Sequence, residues 1–254
     1  MKTCLTEREK IYFVSDIHLG APAIPDNRER ELLFVEWLDL IGQDAKEIFL
    51  LGDIFDFWFE YRSVAPRGFV RVLGKIAGLV DQGIPVHFFT GNHDLWVKDY
   101  LPSETGVILH REPYICEFSG KRFFLAHGDG LDKEDKGYLL LKKIFTNRVL
   151  QWLYSWLHPD LAFGIAHYWS QHSRLSKNIC GPEFQGEREG LYQFVLSIMQ
   201  QENADFYIFG HRHRAVDMKI AADGRFILLG EWIRSFTYGV FDGNDFELKE
   251  YNKM

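Results

Sequence analysis

Five times along the chain, a short run of branched and aromatic residues stops abruptly at polar side chains that can ligate metal. The runs are Ile11–Val14 before Ser15, Asp16, Ile17 and His18; Ile48–Leu51 before Gly52 and Asp53; Val86–Phe89 before Thr90, Gly91, Asn92, His93 and Asp94; Phe123–Ala126 before His127, Gly128 and Asp129; and Phe206–Phe209 before Gly210, His211, Arg212 and His213. Continuous apolar runs of this length read as strands buried on both faces. Each is expected to deliver its polar end to one shared rim.

The segments between them predict the rest of the frame. After a strand at Lys10–Ser15 and a loop at Leu19–Asn27 holding Gly20, Pro22 and Pro25, a helix is expected from Arg28 to about Ile41. Leu32, Leu33, Val35, Trp37, Leu38 and Ile41 fall at helical spacing there, with Asp26 or Asn27 as the cap. A second helix is expected over Val70–Gln82, stopped by Gly83 with Pro85 beyond. Strands alternating with helices imply right-handed crossovers and a largely parallel sheet, whose ligands gather outside the carboxyl ends of the strands. Short strands then follow around Val107–Leu109, Tyr114–Phe118 and Arg122–Ala126, with a turn at Ser119 and Gly120. The segment Arg225–Tyr251 resumes that style, with a turn at Asp242, Gly243 and Asn244. These read as hairpins of a second sheet packed on the first. The expected fold class is α/β, with two facing mixed β-sheets flanked by helices.

Composition narrows the classes. A chain of 254 residues that is 46% hydrophobic and 16% aromatic can bury a large core, and one domain over residues 1–254 with an insertion at about 131–180 is expected. A formal charge of −7 argues against a nucleic-acid partner. Cys4, Cys116 and Cys180 are too few and too scattered for a disulfide framework or a thiolate zinc site. Met1–Lys10 is polar, and no run approaches the roughly 20 apolar residues of a membrane span. The reading is a cytosolic protein, with binding to a membrane surface left open.

The strand-end residues Asp16, His18, Asp53, Asn92, His127, His211 and His213 supply oxygen and imidazole donors without sulfur, which suits Mn²⁺, Fe²⁺ or Zn²⁺. They are too many for one ion. Two ions sharing a carboxylate, ~3.5–4 Å apart, would use them all and clamp a phosphorus centre for in-line attack. The pairs Asp16/His18 and His211/His213 are expected on one face of a strand end, where side chains recur with period two. Any one of these motifs alone is usually a turn; the set, each member following an apolar run, is not. His87, His110, His158, His167 and His172 lack that setting and read as structural.

Together, Asp16-Ile17-His18, Gly52-Asp53, Gly91-Asn92-His93-Asp94, His127-Gly128-Asp129 and Gly210-His211-Arg212-His213 resemble the signature of the calcineurin-like metallophosphoesterases. The resemblance implies one metal held by Asp16, His18, Asp53 and His213 and another by Asp53, Asn92, His127 and His211. It implies that His93, oriented by Asp94, stabilises the transition state or protonates the leaving group. Gly130–Lys177 is similar to the helical lid of UDP-2,3-diacylglucosamine hydrolases, which cleave a lipid A precursor to lipid X and UMP. By that resemblance the cofactors are two divalent ions, foremost Mn²⁺, and the substrate contacts are Asn92, His93, Asp135, Ser173, Arg174, Lys177 and His211. The partners are then a lipid-linked nucleotide and the cytoplasmic face of the inner membrane, to which the protein attaches peripherally. Two amphipathic helices carrying Leu140, Ile144, Trp152, Trp156 and Trp169 would shelter acyl chains, while Lys142, Lys143 and Arg148 meet anionic headgroups. One departure stands out: those hydrolases usually carry Arg where this chain has His93, the residue of the broader family. A phosphatase or phosphodiesterase acting on a nucleotide or other soluble phosphoester is therefore the alternative.

Overall fold

The computed structural model describes residues 8–132, 135–176, 183–220 and 224–252. Alternation along the apolar runs sorts each strand's side chains onto two faces, and that sorting builds the layers. In β1 (Lys10–Val14), Tyr12 and Val14 join a core under the flanking helices α1 (Asn27–Ile41) and α2 (Val70–Asp81), whereas Ile11 and Phe13 face a second sheet. The same division places Ile48 and Leu50 on one side of β2 (Ala45–Leu50) and Phe49 on the other. In β6 (Lys121–Ala126), Phe123 and Leu125 face the first sheet, while Phe124 and Ala126 pack beneath α7 (Gly190–Ile198). Helices, sheet, sheet and helix follow in that order.

The first sheet has six strands, ordered β11-β10-β1-β2-β3-β4, with β3 at Val86–Phe89, β4 at Ile108–His110, β10 at Thr237–Phe241 and β11 at Phe246–Glu250. Strands β1 to β4 are parallel, and the β10–β11 hairpin extends them antiparallel beside β1. The second sheet has five strands, ordered β5-β6-β7-β9-β8, with β5 at Tyr114–Phe118, β7 at Phe206–Phe209, β8 at Ala215–Lys219 and β9 at Arg225–Leu229. Its central strands β6, β7 and β9 are parallel. The carboxyl ends of both parallel sets carry the polar rims.

Two expectations change. The strand expected at Val107–Leu109 belongs to the first sheet, because the short helix α3 (Tyr100–Thr105) provides a crossover and seats it parallel to β3. The terminal hairpin also joins the first sheet, where Phe241 and Phe246 turn inward to the inter-sheet core. Asp26 takes the N-cap position of α1 in a left-handed conformation without a side-chain capping bond. Asn27 instead braces the preceding loop, accepting from Gly20 N at 3.1 Å and donating to the Ala21 carbonyl at 2.8 Å. Gly83 stops α2 as expected, with φ at 80° and its N–H bonded to the Val80 carbonyl.

Between β6 and α7 the chain forms three helices, not two: α4 (Lys136–Thr146), α5 (Arg148–Tyr154) and α6 (Pro159–Ser176). The break after α4 is local. Asn147 is extended, and its side chain accepts from Val149 N and Leu150 N to cap a new helix. This segment sits on the aromatic loop after β2 and on Trp96: Phe57 meets Phe163 at 5.1 Å, Phe59 meets Tyr154 at 4.9 Å, and Trp96 Nε1 donates to the Phe145 carbonyl. Its outer face stays open, with Trp156 at 74%, Leu140 at 63% and Trp152 at 58% exposure. Among the described residues, no helix is long and apolar enough to cross a membrane. Cys116 is a free, half-buried thiol; Cys4 and Cys180 lie outside the described residues.

At the opposite end of the strands, Arg225 of β9 ties the sheets together. Its guanidinium holds Asp217 of β8 and donates to the Phe246 carbonyl of β11 at 2.7 Å, lying 5.5 Å from the Phe206 ring. The inter-sheet core is aromatic: Phe13 stacks on Phe49 at 5.2 Å and Phe123 on Phe206 at 4.8 Å, and Phe123 meets Phe241 edge-on. Emptying its centre with Phe123→Ala is expected to lower stability by about 3–5 kcal/mol, read as a lower urea midpoint with unchanged slope.

Candidate metal centre

The polar residues lie just beyond the strands, and the backbone there is unusual. Nine described non-glycine residues have positive φ, and five are expected ligands: Asp16 at 56°, His18 at 50°, Asp53 at 53°, His211 at 67° and His213 at 51°. Each such conformation costs on the order of 1 kcal/mol or more and persists only where surroundings enforce it. Here the loops enforce one another, since Asp16 N bonds to the Gly52 carbonyl and the N–H groups of Ile17 and His18 both bond to the Asp53 carbonyl. The Asp16/His18 and His211/His213 pairs therefore do not arise from strand alternation as expected; both members of each pair are left-handed residues of a tight turn. Gly91 must lack a side chain, because a Cβ would collide with the Asp53 carboxylate.

All seven expected donors converge. His18 Nε2 and His213 Nε2 lie 3.1 Å apart, with Asp16 Oδ1 at 3.8 Å from the first and 3.2 Å from the second. Asp53 Oδ2 is 3.7 Å from His18 Nε2 and 3.4 Å from His127 Nε2, so one oxygen faces both halves. On the far side, Asn92 Oδ1 is 3.3 Å from His127 Nε2 and 2.8 Å from His211 Nδ1. His127 Nδ1 donates to the Leu51 carbonyl at 2.7 Å, which leaves Nε2 as a lone-pair donor aimed inward. A divalent cation fits this arrangement: Asp16 Oδ1 is buried without a hydrogen bond, and the ring nitrogens of His18 and His213 lie close to it.

The electrostatics match a site built for positive charge. Burial works against ionising Asp16, but His213 and His18 hold its carboxyl well below the usual range. Asp53 is likewise held low against burial by His127, His93 and His18. Burial works against the charged form of His127 too, yet Asp53 raises it to about 10; burial and the charge on His127 lower His211 to about 4. Protons on imidazole thus balance the carboxylates where cations would.

His93 stands at the edge of this cluster, its ring 4.7 Å from that of His18 and its backbone N–H donating to Asp53 Oδ1 at 2.8 Å. The expectation that Asp94 orients it is corrected. The Asp94 carboxylate accepts from Gly91 N at 2.7 Å, Ile54 N at 2.8 Å, and Asp53 N and Phe55 N at 3.3 Å, which fixes both loops. The ring of His93 is held by Asp56, whose carbonyl accepts from Nδ1 at 2.8 Å and whose Oδ1 lies 3.6 Å away. Asp56 follows Asp53 by three positions in a loop, where neither periodicity gives it away.

The expected substrate contacts divide. Asn92, His93 and His211 lie at the centre. Asp135 caps α4 by accepting from Tyr138 N at 2.8 Å. Ser173 and Arg174 belong to α6, whose described side chains end at His172, and Lys177 lies outside the described residues. Asp129, read only as part of a motif, fastens α4: Tyr138 Oη donates to it at 2.7 Å and Lys142 Nζ pairs with it at 2.7 Å. Lys142 is thereby committed to this loop and does not face outward as expected. His87 and His110 bond to each other at 2.9 Å between the sheets, as structural residues do.

Asp94→Ala would leave four backbone N–H groups without their acceptor. A loss of at least about 2 kcal/mol is expected in urea unfolding of the metal-free protein.

Comparison with known proteins supports the same assignment. A family model described as calcineurin-like phosphoesterase matches residues 9–215. The UDP-2,3-diacylglucosamine hydrolase of Porphyromonas gingivalis is 42% identical over 260 residues, spanning 97% of this chain and 99% of that protein. The protein of the same name from Histophilus somni is 30% identical over 227 residues, spanning 88% and 92%. Among solved structures, a predicted phosphoesterase from Streptococcus pneumoniae aligns over 94% of this chain and 87% of its own, with 16% identity and a TM-score of 0.43. With the family model covering most of its length and a relative similar from end to end, the chain belongs to the calcineurin-like phosphoesterase family and is a hydrolase that works with divalent metal ions.

Proposed function

We propose that the protein hydrolyses the pyrophosphate of UDP-2,3-diacylglucosamine to lipid X and UMP, as one domain carrying its own helical lid, α4–α6. The observation that carries this reading is the 42% identity to a hydrolase of that name over 97% of the chain, a span too complete to omit the lid. In this reading Asp16, His18, Asp53 and His213 hold one ion and Asp53, Asn92, His127 and His211 the other, with Mn²⁺ the first choice for an oxygen and imidazole set. Such ions acidify water and neutralise phosphoryl charge. The chain's own groups do the rest. Water oxygen bonds to one phosphorus as the bridging P–O bond breaks, and the departing phosphate takes up a proton. His93, with Nδ1–H committed to the Asp56 carbonyl, donates from Nε2–H to the phosphoryl or leaving oxygen as an imidazolium.

The lid's outer face supports a peripheral place on the inner membrane. Val149, Trp152, Leu153 and Trp156 are each more than half exposed, and Lys143 and Arg148 stand beside them on exposed turns. Aromatic and aliphatic side chains flanked by cations suit the interface of an anionic bilayer. Packing of the lid on the core would have buried these residues.

The Mn²⁺-loaded protein is expected to release UMP from UDP-2,3-diacylglucosamine, and Asp53→Ala to release none. Asp53-dependent cleavage of a soluble phosphodiester without UMP release would move the substrate to the soluble esters that His93 also suits. Replacing both Trp152 and Trp156 by Ala should weaken sedimentation with phosphatidylglycerol vesicles at least tenfold, roughly the free energy of burying large apolar side chains. Equal sedimentation of the two proteins would exclude this face.

A further inference from the structure

Asp56 is as buried as the expected ligands, at 1% exposure, and its two carboxylate oxygens meet different partners. Oδ1 lies 3.5 Å from His18 Nδ1 and 3.6 Å from His93 Nδ1. Oδ2 accepts a hydrogen bond of 2.7 Å from Ser170 Oγ, 114 residues away on α6. Ser170 is out of keeping with its surroundings. Among the described side chains of α4–α6, only Ala162 and Ser170 are buried, at 0% and 5% exposure, while Leu140, Val149, Trp152, Leu153 and Trp169 are left open.

We propose that Ser170 is a positioning residue of the catalytic centre: the seated lid pins Asp56, and Asp56 in turn fixes the rings of His18 and His93. A carboxylate free at one oxygen can rotate about its terminal torsion, whose wells are broad; a buried donor on Oδ2 removes that freedom. Oδ1 is then fixed facing His18 Nδ1 at 3.5 Å, while the Nδ1–H of His93 stays on the Asp56 backbone carbonyl, 3.6 Å from the same oxygen. Orientation of a histidine by a carboxylate behind it sets the direction in which its working Nε2 points, a lone pair in His18 and an N–H in His93. The two rings meet edge to face, at 85° between planes, so that turning one displaces the other. The seating of α6 thus reaches the reacting centre through the Ser170 hydroxyl. The inference requires only the phosphoesterase chemistry and holds whatever lipid or nucleotide the substrate carries.

The test uses a substrate too small to need the lid, bis(4-nitrophenyl) phosphate, with the full-length Mn²⁺-loaded protein. Ser170→Ala is expected to lower kcat about tenfold with KM nearly unchanged, and Ser170→Thr, which keeps the hydroxyl, to stay within about twofold of the starting enzyme. A second readout is free of metal and activity. In ¹H–¹⁵N spectra of the histidine rings of the metal-free protein, Ser170→Ala should shift or broaden the Nδ1–H signals of His93 and His18 and leave His87 and His110 unmoved. The proposal is overturned if kcat on the small ester is unchanged, if Ala and Thr are equally impaired, if the His93 signal does not respond, or if His87 moves as much as His93. Failure of UMP release would leave these outcomes readable, because the small ester does not depend on the lipid assignment.

Discussion

The carboxylate of Asp53 is the point on which the rest of the structure turns. A buried anion is tolerated only when donors surround it, and here they come from every side: the His93 N–H on one oxygen, His18 and His127 facing the other. Bringing those donors close forces the chain into left-handed turns after β1, β2 and β7, each unfavourable alone. The turns survive because they are laced to one another through the Asp53 carbonyl and because Asp94 collects the N–H groups of two loops. Raised on burial and by the nearby Asp53 to about 7, Asp94 balances that push against the N–H groups of Gly91 and Phe55.

Much of this was legible in the order of residues. Apolar runs ending in Asp, Asn or His located the strand ends, and all seven expected donors meet. What could not be read is what depends on φ or on distant partners. Period two explains Asp16 and His18 plausibly from sequence, yet they lie past the strand in left-handed turns. Asp94 adjoins His93 in the chain but points to backbone, while Asp56, in another loop, reaches the ring. Strand partners were equally hidden: an apolar run such as Ile108–Leu109 carries no mark of which sheet it will join, and the choice is made by the crossover helix before it.

The segment α4–α6 divides its residues by a different rule from the core. Its inward side chains engage a small set of aromatic and polar contacts around Phe57, Phe59, Trp96, Asp129 and Asp56. Its outward side chains stay exposed, so hydrophobicity alone could not separate the two roles. The two amphipathic helices expected there are three, divided at Asn147 and at the turn before Pro159.

Arg225 gives the sandwich a mechanical asymmetry. By bonding Asp217 of the second sheet and the Phe246 carbonyl of the first, it clamps the two sheets at the end of the strands away from the ligands. Sliding of one sheet over the other would break that clamp and the aromatic stack beside it. The spacing between the donors of Asp16 and Asp53 from one sheet and those of His127, His211 and His213 from the other is therefore gauged by strand register.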